Sequence, residues 1–318
     1  MRPISTLLLV LAALMLWACE QTSVMPRSSG RPYEVVVVGD EGPVGMALEA
    51  DAEVLPQSEP CFDVKTTGGH EPDARMRLAR SIVIVTIDPT RRQTTISYEK
   101  DVYAKPQMVV SIYAPSSRQL TADMPRWAPS LRQLLTRHEM NAAIAALRSK
   151  PNPRAAKAVE ETIGVDMSIP ADMQACKRGR GFVWLSNNSL QGMQSICLYH
   201  YPMGADFAAM RDSIMRRNIP GETDSMYMQT VVASLKQEPM NEKGTKGTIV
   251  RGLWEMKGDA MGGPFVAHVV ADSSRQLTIV AEAFVYAPES SKRNKVRQAE
   301  AALYTMTLAG KKQEQKER

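Results

Sequence analysis

The chain has 318 residues, of which 44% are hydrophobic and 23% are charged. This composition is that of a globular protein and excludes a fibrous or largely disordered chain. Lys and Arg total 39 against 34 Asp and Glu, a formal net charge of +5. The basic residues are dispersed, so no nucleic-acid partner is predicted. A chain of this length forms one large or two medium domains and needs neither disulfides nor metal ions to fold.

The first 18 residues have the features of an export signal. Arg2 is followed by an apolar run from Leu7 to Trp17, which is too short to cross about 30 Å of hydrocarbon. Leu16, Ala18 and Cys19 match the lipobox of bacterial lipoproteins, although Trp17 replaces the usual small residue. We therefore predict cleavage before Cys19 and lipid attachment to its thiol. The alternative is a plain secretory signal in which Cys19 is incidental.

Residues 19–31 are rich in Ser, Thr, Pro and Gly without hydrophobic periodicity, which predicts a flexible tether. Three further cysteines follow, Cys61, Cys176 and Cys197, and no CxxC motif for zinc or redox chemistry is present. They form either one disulfide and one free thiol or three buried thiols. Cys197 lies in an apolar, strand-like run and is predicted to be a core residue.

Residues 32–150 are predicted to form an N-terminal half. β-Branched runs bounded by turn residues predict its strands. These strands are Tyr33–Val38, Ser81–Ile87, Thr94–Tyr98 and Gln107–Tyr113. Apolar residues at helical spacing predict a helix over 131–147. Two prolines, Pro151 and Pro153, then break the chain.

Residues 151–310 are predicted to form a C-terminal half, and 311–318 a charged, solvated tail. The predicted strands are Phe182–Leu185, Ser195–Tyr201, Ser225–Ala233, Thr248–Met256, Phe265–Ala271 and Gln276–Tyr286. The predicted helices are Arg154–Ile163, Ala205–Arg217 and Ser291–Leu308. In the last of these, Val296, Ala299, Leu303 and Met306 form the inward stripe.

The two halves share short sequence patterns. Val110–Pro115 and Phe284–Pro288 are both strand ends followed by a helix, and Ser81–Pro89 resembles Ser195–Pro202. An antiparallel sheet has one apolar face that a following helix can cover. We therefore predict an α+β fold, with antiparallel sheets covered by helices in two related, duplicated halves. Chance similarity between short strands is the alternative.

The segment 251–265 is the strongest candidate for a binding site. In a strand, Arg251 and Glu255 lie on one face and Trp254 on the other. The functional interpretation is a cleft floor, in which Trp254 stacks on a sugar or peptide and Arg251 and Glu255 anchor it. Asp259 would supply a second carboxylate and Arg211 part of the rim. The structural alternative is a hairpin with a surface pair between Arg251 and Glu255.

Other motifs are incomplete. The glycines in 39–45 do not have GxGxxG spacing, and Asp40 and Glu41 would repel a pyrophosphate. Ser97 and Lys100 match SxxK, but they end a predicted strand rather than begin a helix. The four histidines form no HExxH motif. No cofactor or metal site is therefore predicted. Catalytic residues stay unknown, because a Ser/His/Asp set can assemble from distant segments, although no GxSxG motif is present.

Several motifs together resemble a family of uncharacterised Bacteroidetes lipoproteins, known as a domain of unknown function that covers nearly the whole mature chain. They are Arg31–Val35, Leu55–Pro60, Ile219–Gly221, Arg251–Glu255, Met261–Phe265, Phe284–Pro288 and Lys292–Arg293. The resemblance implies export and lipid anchoring and supplies no activity or catalytic residue. Because Glu20–Val24 holds a single acidic residue, it also implies the periplasmic face of the outer membrane.

Two functions are compatible with the sequence. The first is a non-enzymatic protein of the cell envelope, anchored to membrane lipid through Cys19, that binds a protein or glycan partner. The 20 methionines suit adaptable contact surfaces. The alternative is an envelope hydrolase that acts on peptide or glycan through carboxylates near Trp254. We expect the first, because no complete catalytic set is visible.

The Cys19→Ala variant is expected to leave the membrane fraction and to lose acyl labelling, because the thiol that would carry lipid is absent. Cell fractionation and metabolic labelling with a fatty-acid analogue measure both effects. Cys176→Ala, which removes a cysteine outside the lipobox, is the matched control. Unchanged labelling of Cys19→Ala would defeat the lipobox interpretation.

Overall fold

Two β-sheets organise the part of the chain that the computed structural model describes, residues 25–40, 42–242 and 245–308. The predicted export signal, Cys19 and the tail 311–318 lie outside these ranges. Each sheet is flanked by helices, which confirms the α+β class, and the two-part arrangement fits the predicted halves. None of the helices in the described ranges is both long and apolar enough to span a membrane.

The N-terminal sheet has five strands in the order β2-β1-β3-β5-β4. The strands are β1 Glu34–Val38, β2 Asp63–Thr67, β3 Ser81–Ile87, β4 Thr95–Lys100 and β5 Met108–Ala114. Its helices are α1 Pro43–Leu48 and α2 Ser117–Ser149, with a short 3₁₀ helix at Met76–Leu78. Antiparallel pairing holds for β4 with β5, whereas the other three pairs are parallel. Strands buried on both faces, such as β1, are typical of parallel pairing.

The C-terminal sheet has seven strands, all antiparallel, in the order β10-β11-β12-β13-β9-β8-β7. The strands are β7 Ala175–Gly179, β8 Phe182–Ser186, β9 Met193–Pro202, β10 Tyr227–Glu242, β11 Thr245–Lys257, β12 Gly262–Asp272 and β13 Leu277–Tyr286. Its helices are α3 Pro153–Ile163, α4 Phe207–Asn218 and α5 Arg293–Leu303. A two-stranded ladder pairs β6 Val165–Asp166 with β14 Thr307–Leu308.

Both faces of the C-terminal sheet are covered. Helices α3 and α5 pack on one face, where Val159, Val296 and Ala299 join the core. Helix α4 packs on the opposite face through Ile214 and Met215. Alternate residues of each strand therefore enter two different cores, and the face that a residue occupies decides which helix it meets.

Two predicted helices have different limits in the structure. Helix α2 begins at Ser117 rather than near residue 131, because its buried stripe continues through the segment that contains Pro125 and Pro129. The side chain of Ser116 caps its first turn by accepting from the Gln119 N–H. The final helix ends at Leu303 rather than Leu308, because the last residues form β14.

The shared sequence pattern corresponds to a shared strand–helix unit. β5 leads into α2 and β13 leads into α5, each through an Ala-Pro step. In both halves the helix returns to cover its own sheet. The strand directions differ, because β3 and β5 are parallel whereas the corresponding β9 and β13 are antiparallel.

Helix α5 joins the two halves. Its N-cap residue, Lys292, makes no side-chain cap, and the carboxylate of Glu59 from the N-terminal half takes that place. Glu59 accepts from the backbone N–H groups of Lys292 at 2.6 Å and Arg293 at 3.0 Å. Arg293 also pairs with Asp63 at 2.9 Å. The first turn of α5 is therefore completed by side chains from the other half.

The three described cysteines are free thiols. Cys197 is fully buried, as predicted for a core residue, whereas Cys61 is half-buried and Cys176 is exposed. The structure therefore differs from both alternatives drawn from the sequence, one disulfide or three buried thiols. Burial, the largest effect, together with the nearby Glu282 charge, raises the pKa of the Cys197 thiol well above its ordinary value.

Candidate functional site

The structure does not assemble the predicted cleft floor around Trp254. Trp254 is 2% exposed and lies on the α4 side of the sheet, whereas Arg251 lies on the α5 side. The indole Nε1 donates to the Val285 carbonyl at 3.3 Å, and the ring meets Phe284 edge-on at 5.5 Å. The expectation that Trp254 stacks on a ligand is therefore corrected, because both of its faces are packed in the core.

Arg211 is not part of a rim, because its side chain is fully buried beneath helix α4. Its Nη2 donates to Glu282 at 2.7 Å and its Nε at 3.0 Å, while the Tyr199 hydroxyl donates to the same carboxylate at 2.9 Å. Thr230 accepts from Nη1 at 2.9 Å. This network links α4 to the sheet and offers no surface to a ligand.

Glu255 and Asp259 are exposed and engaged locally. Glu255 accepts from Gln229 at 2.6 Å, and Asp259 accepts from the Ala260 N–H at 2.6 Å. The predicted surface pair between Arg251 and Glu255 does not form, because Arg251 binds Glu300 of α5 instead. The carboxylates near Trp254 therefore do not share a pocket with Arg251.

A cleft between the two halves contains Arg251 and has a volume of about 1070 Å³. One wall is helix α2, where the lining residues recur every fourth position, as one face of a helix requires. They are Arg132, Thr136, Met140, Ile144 and Arg148. The opposite wall comes from α5 and from strands β10 to β12. The cleft therefore lies between the sheets rather than at the predicted hairpin.

The floor of the cleft holds a charged pair. Arg251 donates to Glu300 at 2.7 and 3.1 Å and approaches Glu238 at 3.5 Å. The Glu300 side chain is 2% exposed. Burial acts to raise the pKa of Glu300, but the Arg251 charge and its hydrogen bonds outweigh burial and hold that pKa below its ordinary value. Glu300 is therefore ionised at neutral pH and is unsuited to act as a general acid.

His268 lies beside this pair and is 1% exposed. Its ring meets Tyr304 edge-on at 4.5 Å. Burial is the largest effect on the pKa of His268 and lowers it to about 4. Its Nε2 atom has no hydrogen-bond partner in the described part of the chain. The imidazole is therefore neutral at pH 7 and leaves one buried polar atom unsatisfied at the edge of the cleft.

Two further arginines of the cleft bind backbone carbonyls. Arg297 donates to the Cys61 carbonyl at 2.8 Å, and its guanidinium lies 4.4 Å from the centre of the Tyr33 ring. Arg132 donates to the Ala47 carbonyl at 2.7 Å. Burial, the largest effect, lowers the pKa of Arg297 from its ordinary value. Backbone carbonyls orient both guanidinium groups, and the Tyr33 ring also faces that of Arg297.

Only part of this arrangement could be predicted from the sequence. Arg251 was predicted as an anchor, but Glu300 and His268 come from distant elements whose partners no local pattern identifies. The available signal was that Glu300 and Arg297 lie three residues apart in the last predicted helix, so that both fall on one side of it. Their approach to β11 and to the N-terminal half follows from tertiary packing.

The remaining motifs have structural roles. Asp40 accepts from the backbone N–H groups of Val44 and Gly45, so its own carboxylate occupies the start of α1, where a dinucleotide loop would bind phosphate. Ser97 and Lys100 lie on strand β4 and not at a helix start. Within the described ranges, no group of three or more His, Cys, Asp and Glu side chains could hold a metal ion.

Two families match the chain. The family described as Domain of unknown function (DUF8532) matches residues 28–148, and the one described as Domain of unknown function (DUF4837) matches residues 152–305. Together they span most of the chain, which is consistent with an uncharacterised family. The gap between them lies at the break between α2 and α3. A comparison with curated proteins found no match.

The free energy of unfolding is expected to decrease as the pH is lowered, because His268 becomes protonated. Its pKa in the folded protein, about 4, is below the ordinary value of 6.5, so the unfolded chain binds the proton first. The stabilisation is complete above about pH 6.5 and is lost progressively down to about pH 4, in total about 3 kcal/mol. Urea unfolding at a series of pH values measures this loss.

His268→Asn is expected to unfold with a shallower dependence on pH across that interval, because it removes the titrating ring. The exposed His70→Asn is the matched control and should reproduce the wild-type slope. Equal slopes for wild type and His268→Asn would contradict the assignment.

Proposed function

We propose that this protein is a lipid-anchored component of the cell envelope that binds a protein or glycan partner without catalysis. The anchor is the acylated Cys19, and the folded part faces the periplasm from the outer membrane. This proposal extends the sequence resemblance to Bacteroidetes lipoproteins, in which lipid on the first residue of the mature chain holds the protein at the membrane.

The observation that supports binding is the cleft between the halves. Its volume of about 1070 Å³ matches or exceeds that of typical small-molecule sites. It is too small for a folded domain, so a protein partner would insert only a segment. Its walls come from both halves, and the contacts of α5 with Glu59 and Asp63 hold those halves together. A ligand would therefore meet a site that is largely formed before binding.

The positions of the acidic residues argue for binding over hydrolysis. Glycoside hydrolysis requires two carboxyl groups at a defined separation, one of them protonated. In the cleft, the lining glutamates already have cationic partners, with Glu300 and Glu238 on Arg251 and Glu53 on Lys236. Glu255 and Asp259 do not line this cleft. The described lining of the cleft is thus polar with ion-paired glutamates, which favours binding over glycoside hydrolysis by a pair of carboxyl groups.

Site-specific photocrosslinking in cells tests the proposal. A photoreactive residue is placed at Asn141, which lines the cleft, and in a control variant at Leu190, which is fully exposed and does not line it. We expect a discrete adduct from position 141 in the membrane fraction and none of equal yield from position 190. Mass spectrometry then identifies the captured segment or saccharide. Identical adducts from both positions, or none from position 141, would contradict binding in the cleft.

A further inference from the structure

The described residues that line the cleft carry an excess of positive charge. Among them are six arginines and three glutamates. All three glutamates have cationic partners among the described residues. The arginines that pair with carboxylates include Arg251 and Arg293, and Arg137 is also engaged. The positive charge therefore resides in the other three arginines.

These three are Arg132, Arg148 and Arg297, and no described carboxylate lies within ion-pair distance of any of them. Arg297 is the most informative, because its cation is withdrawn from water against the rings of Tyr33 and Phe62. The cation donates to a backbone carbonyl and faces two aromatic rings, and the attraction of the more distant Glu300 does not offset its burial. Its charge is therefore undercompensated. The shift of its pKa to a lower value has the same cause, burial, and agrees with this geometry.

The spacing of the unpaired arginines favours an extended ligand over a single small anion. Arg132 and Arg148 lie at the two ends of the lining stripe of α2, and sixteen residues of helix separate them by about 24 Å. Arg297 faces the cleft from the opposite wall. Charges so far apart cannot converge on one phosphate or carboxylate. They match a chain that carries acidic groups along its length.

The walls favour a saccharide over a peptide. Extended peptides are commonly bound by adding a strand to a sheet edge, through main-chain hydrogen bonds. Two walls of this cleft are the helices α2 and α5, whose backbone groups are already paired within the helix. The edge strand β10 reaches the cleft around Pro239, which has no N–H to donate. Side chains are therefore the larger source of polar contacts along these walls.

The side chains available are suited to hydroxyl groups. Amides and hydroxyls are spread along both walls between the arginines, and His268 adds an unsatisfied Nε2 at the edge of the floor. They are Gln133, Thr136, Asn141, Asn241, Thr245 and Thr307. Amide and hydroxyl groups both donate and accept, as a polyhydroxylated ligand requires.

We infer that the cleft binds an anionic oligosaccharide, whose acidic groups pair with Arg132, Arg148 and Arg297. This inference rests on the proposed function and specifies the class of ligand at the same site. The arginines supply charge-assisted hydrogen bonds to carboxylate or phosphate groups, and the polar side chains between them bind the sugar hydroxyls.

Calorimetric titration of the full mature chain in detergent tests the inference. The probes are an oligogalacturonate, a neutral malto-oligosaccharide of the same length and a polyglutamate peptide of the same charge. We expect binding of the oligogalacturonate, weakened by added salt, and no comparable binding of the other two. Arg132→Gln and Arg148→Gln are each expected to weaken it about tenfold, as the loss of a charge-assisted hydrogen bond does.

Arg118→Gln is the matched control, because Arg118 is exposed on the same helix and does not line the cleft. Arg132 and Arg148 are used because neither is packed in the core, whereas Arg297→Gln could disturb the packing of Tyr33 and Phe62. Thermal unfolding verifies that each variant is folded before titration.

Three results would overturn the inference. They are the absence of oligogalacturonate binding at millimolar concentrations, equal binding of the neutral saccharide, and equal binding of the peptide with the same dependence on Arg132 and Arg148. These results can be distinguished from failure of the proposed function. If only the class of ligand is wrong, photocrosslinking through position 141 would still capture a neutral or peptide partner.

Discussion

The arrangement of the two halves depends on one contact, in which the Glu59 carboxylate caps the first turn of helix α5. A helix begins with backbone N–H groups that have no partner within the helix, and here they are satisfied by a residue more than two hundred positions earlier in the chain. Because Glu59 is 8% exposed, its charge requires these donors. Three interactions then orient α5 relative to both sheets. They are the Glu59 cap, the Arg293–Asp63 pair and the packing of Arg297 on Tyr33.

Two arginine–carboxylate pairs with buried carboxylates lie on opposite faces of the C-terminal sheet. Arg211 and Glu282 lie beneath α4, and Arg251 and Glu300 connect β11 to α5. Such pairs contribute little net stability relative to apolar packing, but the loss of one partner leaves a buried charge at a cost of about 3–5 kcal/mol. They therefore specify which helix covers which face. The cleft lies on the α5 side of the sheet, because α5 also contacts Glu59 and Asp63 of the N-terminal half.

Much of the fold follows from the sequence pattern. β3 lies where its β-branched run predicted, and α3 begins at Pro153, next to the predicted start. The alternation in β11 also placed Arg251 and Trp254 on opposite faces correctly. Periodicity gives the faces of an element, but it does not say which face is exposed when a sheet is covered on both sides. For that reason Trp254 and Arg211, which resemble ligand contacts in the sequence, are core residues in the structure.

The cleft itself could not be predicted from local pattern. Arg132, Glu300 and His268 come from α2, α5 and β12, and their proximity is a consequence of how the two halves pack. The predicted antiparallel pairing fits the C-terminal sheet, whereas three of the four strand pairs in the N-terminal sheet are parallel. Local pattern could not give that direction, because an apolar run of β-branched residues suits a strand in either orientation. The charge balance of the cleft becomes visible only when each arginine is assigned its partner.

Helix α5 makes the two halves one cooperative unit with a fixed cleft between them. Hydrogen exchange in increasing urea, followed by mass spectrometry for peptides from β3 and β13, tests it directly, because these strands belong to different halves. A single midpoint is expected for both strands. In Glu59→Ala the free energy of unfolding should fall by about 2 kcal/mol, so that both midpoints fall together. The exposed control Glu71→Ala should leave them unchanged. Separate midpoints in the wild type, unaffected by Glu59→Ala, would show that the halves are independent and would contradict the account.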